Sequence, residues 1–431
     1  MQICVFALGK IGLPLAVQYA GRGHRVVGVD IAPRVVDLVN SGAEPFPGET
    51  GLEEALKQAV SEGLLTAGLD GTAAVAEADA VVIVVPLIVD AKGVPDFGPL
   101  DAATRAVAAG LCPGTLVSYE TTLPVGTTRD RFGPMLEQGA GLTAGRDFAL
   151  VFSPERVSSG RIFADLRRYP KLVGGIDEAS AEQGVRFYEQ VLDFDEREDL
   201  PRPNGVWNLG SAEAAELAKL AETTYRDVNI GLANTFARYA DRIGVDVAEV
   251  IEACNSQPYS HLHQPGIAVG GHCIPVYPRM YLWNDPEAEV VRAAREANAA
   301  MPGYAVDLLQ QEHGDLAGER VVVLGVAYRG GVKETAFSGV FPTVEALTGR
   351  GATVLVADPM YSDEELRGLG FEPYAPGEPV DAAIIQTDHQ EYRKLAAADL
   401  PGIRTLVDGR RVTEAGAWDG VKRAMIGAGG R

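Results

Sequence analysis

Short runs of apolar, β-branched residues alternate with helical stretches along the first half of the chain. A second set of such runs follows after a long interval. Strands that are apolar on both faces are typical of a parallel sheet covered by helices on each side. The pattern therefore predicts an α/β fold with two doubly wound parallel-sheet domains. The predicted strands cover residues 2–7, 25–30, 80–85, 115–119 and 148–152, then 320–326, 353–357, 382–386 and 405–407.

The two sets also resemble each other. Residues 21–30 align with residues 349–358, and each segment ends in an aspartate. Aligning Gly9 with Gly325 gives the second copy 12 extra residues in its first crossover (358 − 30 = 328 against 325 − 9 = 316). This weak repeat indicates a common architecture for the two halves.

Apolar positions repeat with helical spacing between the two sets, from Ser211 to Ile243. Ser211 is a suitable N-cap, and Gly244 is placed to end the helix. A helix of this length reaches about 50 Å, which exceeds the width of a small domain. We expect it to join two domains and to offer its surplus face to a second copy of the chain.

The charge balance restricts the partners. There are 38 Lys and Arg residues against 59 Asp and Glu residues, so the net charge is −21, which disfavours nucleic acid and anionic membranes. The longest apolar stretch, 80–89, is too short to cross a bilayer. The chain begins directly with a strand pattern, so we expect no secretory leader. Four widely spaced cysteines predict reduced thiols and a cytoplasmic location.

The turn after the first strand is typical of a dinucleotide site. It reads Ala-Leu-Gly-Lys-Ile-Gly, and Asp30 closes the next strand 18 residues after Gly12. Such a turn brings a pyrophosphate to the N-terminus of a helix, and the aspartate can accept both ribose hydroxyls. Since Asp30 would repel a 2′-phosphate, the pattern favours NAD and a Rossmann-like domain. The residues expected here are Ala7, Gly9, Lys10, Ile11, Gly12 and Asp30.

Cys273 lies between a glycine pair and a proline, in Gly-Gly-His-Cys-Ile-Pro at 270–275. Flanking glycines would leave room for a ligand, which favours a nucleophilic thiol. Burial as a small apolar side chain is an equal alternative. A zinc site is a weaker one, because no further cysteine or acid has metal-site spacing. Its ligands would be His261, His263, His272 and Cys273.

Three more residues are candidates for the chemistry. Lys219 and Thr223 are four apart on one face of the long helix, so both can point into one cleft. Alternatively, that face is solvated. Glu155 follows a strand end, where α/β enzymes place functional groups, although a charged loop residue would also explain it.

These segments together resemble a known family, the nucleotide-sugar 6-dehydrogenases, also named UDP-glucose/GDP-mannose dehydrogenases. Its members oxidise UDP-glucose, UDP-N-acetyl-hexosamines or GDP-mannose to uronic acids. Gly-Gly-His-Cys-Ile-Pro-Val at 270–276 is most similar to the UDP-N-acetylmannosamine and UDP-N-acetylglucosamine branch. The matching segments lie at 2–14, 120–122, 153–156, 218–222, 255, 265–276, 325–329, 358–359, 387–389 and 407–410.

The resemblance implies an NAD domain at 1–200, a central helical dimerisation domain at 201–300 and a UDP-sugar-binding α/β domain at 301–431. It implies a homodimer and a four-electron oxidation with NAD. Cys273 would capture the aldehyde as a thiohemiacetal, and a thioester would follow. Lys219 would stabilise the oxyanions, and Glu155 would act as base or position the water.

The resemblance extends the set of site residues beyond those that the local patterns suggest. Thr122 and Thr223 would line the catalytic pocket. Pro86, Thr122 and Glu155 would also contact NAD. The expected substrate-binding residues are Arg156, Lys219, Tyr259, His261, Gly270, Gly271, Arg329 and Arg410.

Four positions depart from the family pattern. Ala7 replaces the first glycine of the turn, and Thr223 stands where the family usually has Asn. Tyr277 replaces an Asp, and Ala336 replaces an Arg. These changes bear on thioester hydrolysis and on the choice of sugar. The alternatives are a UDP-glucose 6-dehydrogenase, a two-electron dehydrogenase that stops at the aldehyde, and a catalytically idle nucleotide-sugar sensor.

Overall fold

The structure is a computed structural model that describes residues 1–90, 93–158 and 160–429. The chain forms two compact units, Met1–Ala221 and Glu222–Arg431. The three domains expected from the sequence, with boundaries near 200 and 300, remain a prediction. None of the described helices has the length and apolarity needed to cross a membrane.

The first unit contains an eight-stranded sheet in the order β10-β9-β8-β7-β4-β1-β2-β3. All neighbours in it pair in parallel except β8 and β9, which are antiparallel. The antiparallel pair of β5 and β6 lies outside this sheet. The strands are β1 (Gln2–Phe6), β2 (Arg25–Val29), β3 (Leu65–Gly68), β4 (Ala80–Ile83), β5 (Ile88–Val89), β6 (Pro95–Asp96), β7 (Leu116–Tyr119), β8 (Ala149–Phe152), β9 (Lys171–Gly175) and β10 (Val206–Ser211).

Helices connect these strands and cover the sheet. The central strands β4, β7 and β8 are buried at every position, as the apolar runs predict. The helices of the first unit are α1 (Gly12–Gly21), α2 (Pro33–Asn40), α3 (Leu52–Ser61), α4 (Gly71–Ala76), α5 (Gly98–Gly110), α6 (Gly133–Ala140), α7 (Ile162–Arg168) and α8 (Glu178–Val191).

The second unit contains a five-stranded parallel sheet in the order β12-β11-β13-β14-β15. Alternate residues of β11 join two different apolar clusters, Val321 and Val323 in one and Val322 and Leu324 in the other. This sheet is therefore covered on both faces. Its strands are β11 (Arg320–Leu324), β12 (Thr353–Ala357), β13 (Ala382–Ile385), β14 (Thr405–Asp408) and β15 (Lys422–Met425).

The predicted long helix is confirmed as α9 (Ala212–Ile243), which has 32 residues. The Ser211 hydroxyl accepts the Ala214 N–H at 3.2 Å, as an N-cap does. Gly244 has φ +72°, a conformation that ends a helix and suits glycine. The remaining helices are α10 (Val247–Asn255), α11 (Tyr277–Asn284), α12 (Glu289–Ala299), α13 (Met301–His313), α14 (Val340–Thr348) and α15 (Asp363–Gly368).

The internal repeat is present, but its expected alignment is wrong by two residues. Gln2 pairs with Arg25 as Arg320 pairs with Thr353, so the first strands are offset by 318 (320 − 2). The Ala7 N–H donates to Val29 O, and the Gly325 N–H donates to Ala357 O. Gly325 therefore corresponds to Ala7 rather than to Gly9, and the second copy has 10 extra residues in the crossover (328 − 318).

Candidate active site

The turn between β1 and α1 is shaped by two residues with special backbone requirements. Ala7 has φ +72°, in the left-handed region where glycine is usual. A Cβ at Gly12 would lie 1.9 Å from Ala7 O, so only glycine fits there. The sequence departure at Ala7 therefore costs backbone energy, of order 1 kcal/mol, without changing the turn.

This turn leaves the space that a pyrophosphate needs. A Cβ built on Gly9 would have no neighbour within 4 Å. Helix α1 begins directly after the turn, and no side chain of the described residues caps it. A helix N-terminus next to such a turn carries partial positive charge, which fits an anionic diphosphate. Lys10 is exposed and Ile11 is half-buried beside it.

Asp30 supports the turn while remaining partly accessible. Its Oδ2 accepts the Leu8 N–H and its Oδ1 accepts the Ala32 N–H, each at 2.9 Å. Each carboxylate oxygen keeps a further lone pair, so the pair can also accept ribose hydroxyls. The residues present thus fit NAD.

The ends of β4 and β7 form the continuation of this edge. The Thr121 hydroxyl donates to Val85 O at 2.7 Å and joins the two strand ends. Pro86 is exposed, whereas Thr122 is buried. Both expected cofactor contacts therefore lie at the carboxyl edge of the sheet, where α/β folds bind ligands.

A buried group of charges lies at the same edge, on β7, β8 and β9. Lys171 Nζ donates to Glu120 Oε2 at 2.6 Å and to Glu155 Oε2 at 2.9 Å. The hydroxyls of Tyr188 and Tyr19 donate to Glu120 Oε1 at 2.8 and 3.2 Å. We call Glu120, Lys171 and Glu155 the buried triad.

The pKa values of the two triad carboxyls are shifted in opposite directions. Burial alone raises the pKa of both. For Glu155, the Lys171 ammonium, the hydrogen bonds and the Lys219 charge outweigh burial, so its pKa lies below the usual value. For Glu120, burial dominates and the pKa is raised. Glu155 is thus held as a carboxylate.

Lys219 is buried in α9, so the solvated-face alternative is wrong for this residue. The Lys219 charge adds to the effects that lower the pKa of Glu155. Arg156 is half-buried, and its guanidinium donates to Pro170 O at 3.2 Å. Glu155, Arg156 and Lys219 therefore share one region of the first unit.

In the second unit, Cys273 carries an exposed thiol. The alternative of a buried apolar cysteine is wrong. The N–H groups of Val276 and Tyr277 donate to Cys273 O at 3.2 and 2.9 Å, which fixes the cysteine in the turn that begins α11. No three His, Cys, Asp or Glu side chains in the described part of the chain are arranged to hold a metal ion.

The two glycines before His272 and Cys273 are required for a different structural reason from the one expected. A Cβ at Gly270 would lie 2.4 Å from Tyr328 Cβ, and Gly271 has φ +94° under the Tyr328 ring. The Gly271 N–H donates to Ala336 O at 2.8 Å. The space over both glycines is therefore filled by protein, and close packing rather than ligand access requires them.

The other predicted residues of this unit lie in two loop regions. Arg410 donates to Gln386 O at 2.9 Å and to Tyr328 O at 3.2 Å, and burial lowers its pKa. Arg329 is exposed beside Tyr328. Tyr259 and His261 are exposed in the loop after α10, and Asn229 donates to His261 O at 2.6 Å. Thr223 is buried in α9.

Sequence reasoning missed Lys171 and the part that Glu120 plays. Lys171 begins a strand that the sequence analysis did not predict, because Lys-Leu-Val-Gly-Gly has little alternation and two glycines. The available signal was a lysine at the start of a short apolar run, close in sequence to Glu155. Glu120 belonged to a matching segment, but nothing in its neighbours indicated burial.

Comparison with known proteins identifies the family. The NAD binding domain of the UDP-glucose/GDP-mannose dehydrogenase family matches residues 1–192, its central domain matches 213–300, and its UDP binding domain matches 322–415. UDP-N-acetyl-D-mannosamine dehydrogenase of Pyrococcus horikoshii is 35% identical over 420 residues, which are 96% of each chain.

Two solved structures are similar over nearly their whole length. The UDP-D-ManNAc dehydrogenase of Pyrococcus horikoshii has a TM-score of 0.88 at 33% identity and covers 100% of both chains. A UDP-glucose dehydrogenase from Pyrobaculum islandicum has a TM-score of 0.82 at 30% identity and covers 97% of this chain and 98% of its own. The chain therefore belongs to the UDP-glucose/GDP-mannose dehydrogenase family and is an NAD-dependent nucleotide-sugar dehydrogenase.

Proposed function

We propose that the protein oxidises the C6 hydroxyl of a UDP-N-acetyl-hexosamine to the carboxylate and consumes two NAD. The observation that carries the proposal is the exposed Cys273 thiol, fixed at the start of α11 within Gly-Gly-His-Cys-Ile-Pro-Val. Support for the sugar comes from the Pyrococcus horikoshii relative, whose name specifies UDP-N-acetyl-D-mannosamine. A catalytically idle sensor would have no use for such a thiol.

The reaction has two oxidations and one hydrolysis. NAD, when bound, would accept a hydride from the sugar carbon in each oxidation, and the hydroxyl proton passes to solvent water. The Cys273 sulfur adds to the aldehyde carbon after the first oxidation, and the second oxidation converts this thiohemiacetal to a thioester. Water then adds to the thioester carbonyl, the carbon–sulfur bond breaks, and the free acid and the thiolate form.

Three groups of residues have distinct roles in this proposal. Lys219 stabilises the oxyanions, with Thr122 and Thr223 lining the pocket. Glu155 takes the proton from the hydrolytic water. Tyr277 stands where the family has an Asp, so this position supplies no second carboxylate base.

We take the binding residues from the family resemblance. Pro86, Thr122 and Glu155 complete the NAD site. Arg156, Lys219, Tyr259 and His261 contact the sugar portion, and Arg329 and Arg410 bind the diphosphate and uridine. The residues that hold the NAD pyrophosphate and ribose are Ala7, Gly9, Lys10, Ile11, Gly12 and Asp30.

We further propose a cytoplasmic homodimer that forms through α9. Large apolar side chains on this helix are exposed in the single chain, and a second copy would cover them. The four cysteines are free thiols, which supports a reducing compartment. The exposed apolar residues of α9 are Leu217, Tyr225, Leu232, Phe236, Tyr239 and Ile243.

A panel of UDP- and GDP-sugars, read by NADH absorbance and by mass spectrometry of the products, tests the proposal. We expect a UDP-N-acetyl-hexosamine to give the highest kcat/KM, with two NADH per acid formed. A preference for UDP-glucose would show that the assigned sugar is wrong and that the protein is a UDP-glucose 6-dehydrogenase. One NADH with free aldehyde would favour the two-electron alternative, and tight sugar binding with no NADH would favour the sensor.

A further inference from the structure

We infer that Lys171 is a positioning residue for thioester hydrolysis, because it holds the Glu155 carboxylate ionised and fixed in orientation. This inference rests on the proposed function. Lys171 would not touch the sugar or the cofactor, and it would act only through Glu155.

The burial of the triad argues for a role beyond folding. The exposed fraction is 0% for the Glu120 side chain, 4% for Lys171 and 10% for Glu155. A buried ion pair is weak evidence for stability, because desolvation offsets the attraction. One carboxylate would suffice to balance Lys171, yet the ammonium contacts two. The second contact leads to Glu155, the most exposed member of the triad.

The hydrogen bonds fix both oxygens of Glu155. Oε2 accepts Lys171 Nζ at 2.9 Å. Oε1 accepts the N–H groups of Arg156 and Val157 at 2.6 and 3.2 Å. Rotation of the carboxylate would break contacts at both ends. A base held in this way keeps one direction toward the water from which it takes a proton.

The electrostatic effect of Lys171 has the sign that a base requires. Burial favours protonation of Glu155, and the Lys171 charge and its hydrogen bond oppose burial. Removal of the ammonium would therefore leave Glu155 protonated over a wider range of pH. The other titratable groups that face the triad are Lys219 on α9, Tyr188 on α8 and Tyr19 on α1.

The chemistry that depends on Lys171 is one step. Water forms a bond to the thioester carbon, its proton passes to Glu155, and the carbon–sulfur bond to Cys273 breaks. Both hydride transfers precede this step. They use Glu155 only as a contact of NAD and do not require it to take a proton. Loss of Lys171 should therefore slow hydrolysis selectively.

The variants must keep the buried charge constant. Lys171→Met alone leaves two buried carboxylates without a cation, which could prevent folding. Lys171→Met combined with Glu120→Gln keeps the net charge of the triad at that of the native protein, one negative charge, and removes the cation together with the Glu120 carboxylate. Lys171→Arg keeps the cation, and Glu120→Gln alone keeps the pair of Lys171 and Glu155.

The experiment follows NADH and the Cys273 adduct by stopped flow and intact-protein mass spectrometry between pH 6 and 9. For the double variant we expect both NADH to form, a sugar thioester to accumulate, and hydrolysis at pH 7 to slow by at least about tenfold. The rate should recover as the pH rises. Lys171→Arg should restore much of the hydrolysis rate, and Glu120→Gln alone, which keeps the cation beside Glu155, should hydrolyse the thioester faster than the double variant does.

Hydrolysis by the double variant at the native rate and with the native pH profile would overturn the inference. An equal decrease in all steps, or an arginine variant no better than the double variant, would also overturn it, since either shows a structural role only. Release of one NADH and free aldehyde by the native enzyme would instead refute the proposed function itself. The two failures are thus distinguishable.

Discussion

Asp30 and Asp358 form the same backbone contact in the two α/β halves. Asp30 Oδ2 accepts the Leu8 N–H at 2.9 Å, and Asp358 Oδ2 accepts the Val326 N–H at 2.7 Å. In each case Oδ1 accepts the N–H two residues further on, at 2.9 and 2.8 Å. The halves therefore build one turn twice.

The second copy of this turn is closed by an imidazole. His389 Nε2 lies 3.1 Å from Asp358 Oδ2, and both side chains are almost fully buried. Hydrogen bonds to this carboxylate hold the pKa of Asp358 below its usual value even though burial raises it. Asp358 is therefore used within the protein, whereas Asp30 remains half-exposed at the NAD turn.

Asp30 should make the enzyme prefer NAD to NADP by at least about tenfold in kcat/KM, which corresponds to about 1.4 kcal/mol. The reason is repulsion between its carboxylate and a 2′-phosphate. Steady-state kinetics with both cofactors measures the ratio. Asp30→Asn, which can still accept the Leu8 N–H, should reduce the preference for NAD over NADP. Equal use of the two cofactors by the native enzyme would refute the assignment of Asp30 to the ribose.

Two glycines of the NAD turn should respond differently to alanine. Gly12→Ala should lower the free energy of unfolding by at least about 2 kcal/mol, because the new Cβ meets Ala7 O. Gly9→Ala should leave stability nearly unchanged but weaken NAD binding about tenfold or more, since its Cβ enters the open space. Thermal unfolding and calorimetric titration with NAD separate the effects. The opposite pattern would contradict the placement of the pyrophosphate.

Glu216 should make stability depend on pH. Burial raises its pKa to about 7, although Gly126 N, Thr128 N and the Thr128 hydroxyl donate to it. The folded protein thus holds the Glu216 proton more tightly than the unfolded chain does. The stability that this proton contributes is fully present below about pH 4.5 and is lost as the pH rises through about 7.

Denaturant unfolding of the native protein and of Glu216→Gln at pH 5 and pH 8 measures this effect. From pH 5 to pH 8, the free energy of unfolding of the native protein should fall by about 2 kcal/mol relative to that of the variant. The fixed cost of the substitution cancels in this difference. A difference that is independent of pH would show that Glu216 does not ionise in this range.

The exposed apolar face of α9 should hold two copies together. Light scattering should give twice the chain mass of 45.6 kDa for the native protein. Leu232→Glu with Tyr239→Glu should yield monomers, because two charges would be buried in the interface. Met360→Glu, at an exposed position outside α9, is the matched control and should stay dimeric. A native protein of 45.6 kDa would exclude the dimer.

The apolar periodicity was sufficient to predict the fold, because each central strand is buried on both faces and α9 has an N-cap and a terminal glycine. Strands β3, β9, β10 and β15 escaped detection, since charged residues and glycines interrupt their apolar pattern. The two-residue error in the repeat arose because Ala7 stands where a left-handed glycine is usual. The sequence offered Gly9 as the nearest glycine instead.

Candidate site residues could be predicted where they belong to a sequence motif. They could not be predicted where their role depends on burial in the fold. Cys273, Glu155 and Lys219 belong to recognisable segments. Lys171 acts across the sheet, through a pairing of β8 and β9 that local patterns do not specify. The space over Gly270 likewise depended on Tyr328, which is distant in sequence.

The central claim is that oxidation proceeds through a thioester on Cys273. The most direct test is intact-protein mass spectrometry of Glu155→Gln during turnover with NAD and the preferred UDP-sugar, with Cys273→Ser as control. The account predicts a sugar adduct on Cys273, two NADH per adduct, and no free acid from the serine variant. Absence of any adduct, together with one NADH and free aldehyde from the native enzyme, would contradict it.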